Sequence, residues 1–300
     1  MDLTAAIKKL AREKNALILA HNYQRDEIQD IADHTGDSLE LSQIAAKNDA
    51  ELIVFCGVHF MAESASLLSP DKKVIIPDPE AGCPMAEMVE PEDVLELKKG
   101  HPGAKVVTYI NSSAAVKALS DIICTSSNAL KIVERIDADE IIFLPDKNLA
   151  GYVQRFTRKT IITGKGFCPT HERFSRADLI FIKQKHPDAL VMVHPECRPE
   201  VADMADMVLS TGRMVKFVAQ TDVKKIIVGT ETGIIHKLKL TAPGIEFIPA
   251  SDSFICPNMK KINLNTLYRS LVNGEFVVTV DESIREKARR ALERMLELSY

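Results

Sequence analysis

The 300 residues lack any excess of positive charge: 38 Lys and Arg stand against 42 Asp and Glu, a formal net charge of −4. A chain so balanced has no cationic footprint for polyanionic nucleic acid or for an anionic membrane surface. Nowhere do 18 apolar residues run together, which excludes a helical membrane span. The stretch from Met1 to Lys9 has an acid at Asp2 and no apolar run of seven, so no secretory signal is expected and a cytoplasmic location is. Neither a Walker loop nor a G-x-G-x-x-G follows an apolar run, so no nucleotide cofactor is implied. Six cysteines occur without a C-x-x-C pair, which argues against a zinc ribbon. In a reducing compartment they are core thiols, catalytic thiols or metal ligands rather than disulfides. What remains is a core-forming composition, 46% hydrophobic and 27% charged, suited to a protein that handles small molecules.

What the chain does contain is one pattern three times over. Apolar runs starting at Ala16, Ala104 and Ala189, 88 and then 85 residues apart, end in polar groups: His21 and Tyr23, Tyr109 and Asn111, His194 and Glu196. Seventeen residues beyond His21, Tyr109 and His194 stand Ser38, Ser126 and Thr211, and 17 more reach second apolar runs around Phe55, Phe143 and Val228. Third runs follow at Val74–Pro77, Thr160–Ile162 and Glu246–Pro249. Apolar, β-branched runs without polar alternation fit strands buried on both faces, the mark of a parallel sheet. Helical patterns lie between them, for example Leu39–Lys47 and Leu130–Arg135. The expected fold is therefore α/β, with three pseudo-symmetric three-layer αβα domains, each β-α-β-α-β-α, around a central site. Their expected spans are 1–102 with an N-terminal helix at Thr4–Lys14, 103–187, and 188–300 with a C-terminal helix at Glu282–Leu298.

Only half of the cysteines obey the repeat. Cys83, Cys168 and Cys256 each follow a third apolar run and precede a proline, whereas Cys56, Cys124 and Cys197 have non-cysteine counterparts. Three symmetry-related thiols facing one axis suit a metal: zinc with a fourth ligand or an open position, or a four-iron cluster that leaves one iron free. Spacing leaves both open. Ligands of open α/β sheets bind beyond the carboxyl ends of the strands, which makes His21, Tyr23, Tyr109, Asn111, His194 and Glu196 a candidate cluster. His21 or His194 would exchange protons near neutral pH, and Glu196 would serve as a base if burial raised its pKa. Ser38, Ser126 and Thr211 read as residues opening helices, either as ordinary N-caps or as three converging N-termini that hold a small polyanion.

Taken together, His21 to Gln24, Gly36 to Ser38, Cys83 to Ala86, Tyr109 to Ser112, Thr125 to Ala129, Pro145 to Leu149, Cys168 to His171, His194 to Cys197, Ser210 to Gly212, Gly229 to Glu231 and Asn258 to Lys260 resemble the quinolinate synthase family. The resemblance runs from about residue 10 to the C-terminus. It implies condensation of iminoaspartate with dihydroxyacetone phosphate to quinolinate for NAD biosynthesis, and an enzyme that supplies iminoaspartate as a partner. It further implies one [4Fe–4S] cluster on Cys83, Cys168 and Cys256. Residues His21, Ser38, Tyr109, Asn111, Ser126, His194, Glu196 and Thr211 would contact substrate, with Tyr23 and His171 as helpers. Some members carry C-x-x-C-x-x-C at the third cysteine; here Cys256 stands alone after Phe254 and Ile255, so a thiol switch of that kind is absent. Phe167 stands where a histidine often precedes the second cysteine. From the repeat alone, two other readings compete: an aconitase-like iron–sulfur hydro-lyase, and a non-enzymatic iron–sulfur sensor or electron carrier, which would have no use for strand-end acids or converging helix N-termini.

Overall fold

The computed structural model describes residues 2–299. Each repeat forms one sheet, and each sheet has four strands. The first unit has β1 (Ala16–His21), β2 (His34–Gly36), β3 (Leu52–Cys56) and β4 (Lys73–Ile75). The second has β5 (Lys105–Tyr109), β6 (Ile122–Cys124), β7 (Glu140–Leu144) and β8 (Thr160–Thr163), and the third has β9 (Leu190–Val193), β10 (Met207–Val208), β11 (Lys225–Gly229) and β12 (Glu246–Pro249). The orders are β2-β1-β3-β4, β6-β5-β7-β8 and β10-β9-β11-β12, with every pairing parallel. The three apolar runs per repeat are thus the three inner and outer strands expected. The fourth strand, β2, β6 or β10, is only two or three residues long, too short to leave an apolar run of its own.

One carboxylate per unit secures that short edge strand. Asp33, Asp121 and Asp206 accept the amide of Ile18, Val106 and Val191 at 2.8, 2.8 and 2.7 Å. The amide of each aspartate in turn donates to the carbonyl of the same partner. The three aspartates keep the 88- and 85-residue spacing of the repeat. Each of these amides lies one residue before pairing with the short strand begins, at Leu19, Val107 and Met192, and would otherwise lack a partner on that side; an unpaired buried donor costs about 1–3 kcal/mol.

The expected helices form as Ser38–Ala46, Ala129–Arg135, Leu3–Glu13 and Glu282–Ser299. The last two do not simply decorate their own units. The core that begins at Ile7 continues through Ile18 and Phe143 to Leu292 and Met295. Helix Glu282–Ser299 turns Ala288, Ala291, Leu292 and Met295 inward, a three-to-four residue spacing that lines one helical face. It packs on helices His59–Leu68 of the first unit and Ala114–Lys117 of the second. Helix Leu264–Asn273 lies against Leu3–Glu13 and ends at Gly274, whose φ of +62° gives the left-handed turn that a side chain would resist. Among the described residues, no helix is long and apolar enough to cross a membrane.

Candidate active site

The carboxyl ends of the three sheets surround a single pocket. In each unit three kinds of position reach it: the end of the first strand, the start of the following helix, and the loop after the last strand. The first kind brings His21, Tyr109 and His194, together with Tyr23, Asn111 and Glu196 two residues on. The second brings Ser38, Ser126 and Thr211, and the third Cys83, Cys168 and Cys256. His171, one turn past Cys168, lines the pocket as well. The structure therefore gathers all of the residues singled out in the sequence.

The helix starts differ in one respect from the sequence reading. Ser38 and Thr211 are the first helical residues, and the caps are the residues before them. Asp37 accepts the Glu40 amide at 2.9 Å and Ser210 accepts the Arg213 amide at 3.3 Å. In the second unit helix Ala129–Arg135 begins later, but the Thr125 carbonyl accepts the Ala129 amide at 2.9 Å, the contact that Asp37 and Ser210 make to Leu41 and Met214. The hydroxyls of Ser38 and Thr211 are thus not consumed by capping. All three starts meet on one axis: Ser127 Oγ hydrogen-bonds the Asp37 carboxylate and lies 2.8 Å from Ser210 Oγ. Gly212 permits this approach, since a Cβ there would lie 2.5 Å from Asp37 Oδ2. Unpaired first-turn amides and aligned peptide dipoles make such starts favourable for an anion.

The polar groups form a chain across units. Tyr23 Oη lies 2.5 Å from Thr230 Oγ1, which lies 2.8 Å from His171 Nε2. His171 Nδ1 stands 2.9 Å from Glu196 Oε2 and 3.1 Å from Cys168 Sγ. Tyr109 donates its hydroxyl proton to Glu196 Oε1 at 2.6 Å. Burial by itself would raise the Glu196 pKa, but His194, His171 and the Tyr109 hydroxyl bring it down to about 2. Burial lowers His21 to about 4 and His194 to about 3, against the pull of nearby carboxylates. Burial thus favours the neutral imidazole at both positions. Their Nδ1 atoms accept the amides of Tyr23 and Glu196 at 3.1 and 3.3 Å. That assigns the proton to Nε2, which in His194 lies 3.2 Å from Ser126 Oγ.

Burial pushes the Cys83 thiol up to about 12 and raises Cys168 and Cys256, each further raised by a neighbouring negative group. Burial raises the core thiols Cys56, Cys124 and Cys197 as well, so it is their place in the pocket that sets Cys83, Cys168 and Cys256 apart. Cys56, Cys124 and Cys197 are buried in the apolar core. Among the described residues, the donors that come within 4.8 Å of one another are Cys168, His171 and Glu196, a group that could hold a single ion.

Several lining or supporting groups were not assigned roles from the sequence: Glu231, Arg173, Phe60 and Met61 line the pocket, and Thr230 joins its hydrogen-bond chain. A signal for Glu231 did exist. Val58, Asp146 and Glu231 stand just past the second inner strands at the spacing of the repeat, so extending the search from first to second strand ends would have found the buried Glu231 and Asp146.

Comparison with known proteins relates the whole chain to one family. The sequence profile described as "Quinolinate synthetase A protein" matches residues 5–297. The chain is 55% identical over 295 residues to a quinolinate synthase of Geotalea uraniireducens, covering 98% of this chain and 97% of that one. It is 54% identical over 290 residues to a quinolinate synthase of Dehalococcoides mccartyi strain CBDB1, covering 97% and 96%. To quinolinate synthase 1 of Methanosarcina acetivorans it is 50% identical over 295 residues, covering 98% and 97%.

Proposed function

The chain belongs to the quinolinate synthetase A family, and from that premise we propose that its pocket joins iminoaspartate to dihydroxyacetone phosphate, giving quinolinate, phosphate and two waters. The observation that carries this reading is the convergence of three strand ends, three helix starts and three thiols on one pocket. Such a pocket offers anion-binding amides and hydroxyls beside a buried carboxylate and neutral imidazoles, which suits a dicarboxylate and a phosphate ester.

In this reading the phosphate is held by the Ser38, Ser126 and Thr211 starts, and Asn111 hydrogen-bonds a substrate carboxylate or carbonyl. His21 and His194 donate through Nε2 to substrate oxygens. Glu196, ionised at neutral pH but held below the carboxylate range by its partners rather than raised as the base reading required, accepts the proton leaving carbon once substrate displaces some of those partners, with Tyr23 and Tyr109 donating to oxyanions as they develop and His171 keeping Glu196 oriented. Cys83, Cys168 and Cys256 would hold a [4Fe–4S] cluster. When bound, that group supplies a Lewis-acidic iron able to assist loss of water. Their placement on three equivalent loops lining one pocket, close enough that Cys256 raises the Cys83 thiol and both raise Cys168, fits the group. The unstable imine substrate comes from a separate iminoaspartate-producing enzyme.

The close approach of Cys168, His171 and Glu196 favours a second reading, a single ion on those three. Anaerobic purification with iron and sulfide counting, followed by an assay for quinolinate, tests both. About four irons and four sulfides per chain with product formed supports the cluster; one metal and no sulfide supports the single ion; no quinolinate overturns the activity.

A further inference from the structure

The turn that carries Tyr23 is held from outside its own unit. Lys260 Nζ donates to the Tyr23 carbonyl at 2.5 Å and pairs with Glu231 at 3.0 Å. Arg25 grips the Lys260 carbonyl through two nitrogens, at 2.7 and 2.9 Å. Glu231 is 0% exposed. Its Oε2 accepts the Gly233 amide at 2.7 Å and its Oε1 the Cys256 amide at 3.2 Å. The packing is tight enough that a Cβ on Gly233 would lie 2.6 Å from Lys260 Nζ and 2.7 Å from the Tyr23 carbonyl.

One cation and one buried carboxylate thus connect the backbone of Tyr23, in the first unit, to the backbone of Cys256, in the third. A buried carboxylate is tolerable only while its partners stay in place. Glu231 has three: an ammonium and two amides. The Cys256 amide and Lys260 lie on one turn, where the Cys256 carbonyl accepts the Lys260 amide at 3.3 Å, so fixing the Cys256 thiol fixes the turn that supplies two of those three partners. With the thiolate fixed on a metal, the amide keeps facing Glu231, Glu231 keeps Lys260, and Lys260 keeps the Tyr23 carbonyl. The phenol of Tyr23 is then delivered to Thr230 and the pocket.

We propose that Glu231 and Lys260 are positioning residues that couple metal occupancy at Cys256 to the seating of Tyr23. The proposal rests on Cys256 being a ligand of the bound group. It concerns the Tyr23 turn and leaves the condensation chemistry as described above.

Hydrogen exchange of the peptide spanning residues 21–29, read by mass spectrometry, tests it without an activity assay. In the parent protein, loading with iron and sulfide should slow exchange in that peptide about tenfold relative to the metal-free form. Lys260→Met, with its iron content intact, should exchange faster than parent in the loaded form and show no difference between loaded and metal-free states. Lys260→Arg should restore part of that difference. The proposal is overturned if metal-dependent protection persists undiminished in Lys260→Met, or if the loaded and metal-free parent proteins exchange alike. That second comparison needs no variant and so decides the matter even where Lys260→Met fails to fold. The underlying ligand assignment is read separately: a Cys256→Ser protein that kept its full iron would remove that premise, whatever the exchange rates.

Discussion

Tyr109 of the second unit donates a 2.6 Å hydrogen bond to Glu196 of the third, so a buried carboxylate of the pocket is held by a group from a neighbouring repeat. Glu196 also faces His171 at 2.9 Å. Replacing Glu196 by Gln keeps the shape and one acceptor oxygen but removes the charge that both neighbours address. Quinolinate formation should fall by about 10²–10⁴ with iron content and substrate affinity retained, the usual loss for a general base. Normal turnover with metal intact would make Glu196 a structural partner only, and the proton acceptor would have to be sought elsewhere in the pocket.

The thiols divide cleanly into two predicted classes. Cys83→Ser, Cys168→Ser and Cys256→Ser should each lose bound iron and its brown absorbance. Cys56→Ser, Cys124→Ser and Cys197→Ser, whose sulfurs lie in the core, should keep it and lose only modest stability. A full complement of iron and sulfide in Cys168→Ser would remove the three-thiolate site.

How far the sequence reached can be judged residue by residue. Cys83, Cys168 and Cys256 were legible because a following proline and a fixed register marked them apart from the other three cysteines. The strands β1, β5 and β9 were legible because burial on both faces leaves an unbroken apolar run. The caps lie one position earlier than the sequence reading has them: Asp37 and Ser210 cap, and Ser38 and Thr211 face the pocket, a distinction that side-chain chemistry alone does not make since Asp, Ser and Thr all favour helix starts. The acidity of Glu196 was out of reach for a different reason. Nothing near residue 196 announces His171 or Tyr109, which arrive from another unit, and burial alone pointed the opposite way. The Asp33, Asp121 and Asp206 clamps were present in register, but a lone aspartate before a two- or three-residue strand carries no local pattern.

Those clamps give a stability prediction. Asp121→Ala leaves the Val106 amide, and Asp206→Ala the Val191 amide, without its 2.8 or 2.7 Å acceptor. Each should destabilise the protein by about 1–3 kcal/mol, seen as a lower thermal midpoint with pocket chemistry unaltered. An unchanged midpoint in both would mean that water replaces the carboxylate at no cost.

The same substitution at two glycines should act with opposite sign. Gly151 lies within helix Lys147–Gln154 with nothing within 4 Å of an added Cβ, so Gly151→Ala should stabilise by about 0.5–1 kcal/mol. At Gly212 the new Cβ would lie 2.5 Å from Asp37 Oδ2 and push apart the helix starts that Ser127 and Ser210 hold together. Gly212→Ala should lower stability and weaken competition by inorganic phosphate against dihydroxyacetone phosphate. Phosphate inhibition identical to the parent's would show that the three starts do not form the anion site.

The buried Lys117 yields a prediction whose sign follows from linkage. Its Nζ donates to the Ser112 carbonyl and stands 5.5 Å from the centre of the Phe60 ring. Burial lowers its pKa to about 8, with the charge of Glu63 pulling the other way. In the unfolded chain a lysine titrates near about 10.4. Between those values the unfolded state binds the extra proton, so stability attributable to this group rises with pH from about 8 to about 10.4. Below about 8 both states are protonated and the buried ammonium costs roughly 3 kcal/mol. Lys117→Met removes that cost and leaves the Ser112 carbonyl without this donor, which takes back about 1–3 kcal/mol. Urea midpoints of the iron-free proteins should therefore favour the Met variant most near neutral pH, with its advantage shrinking, then reversing, as the pH approaches 10. A difference between parent and variant that stayed constant across this range would mean that Lys117 titrates as it does in the unfolded chain.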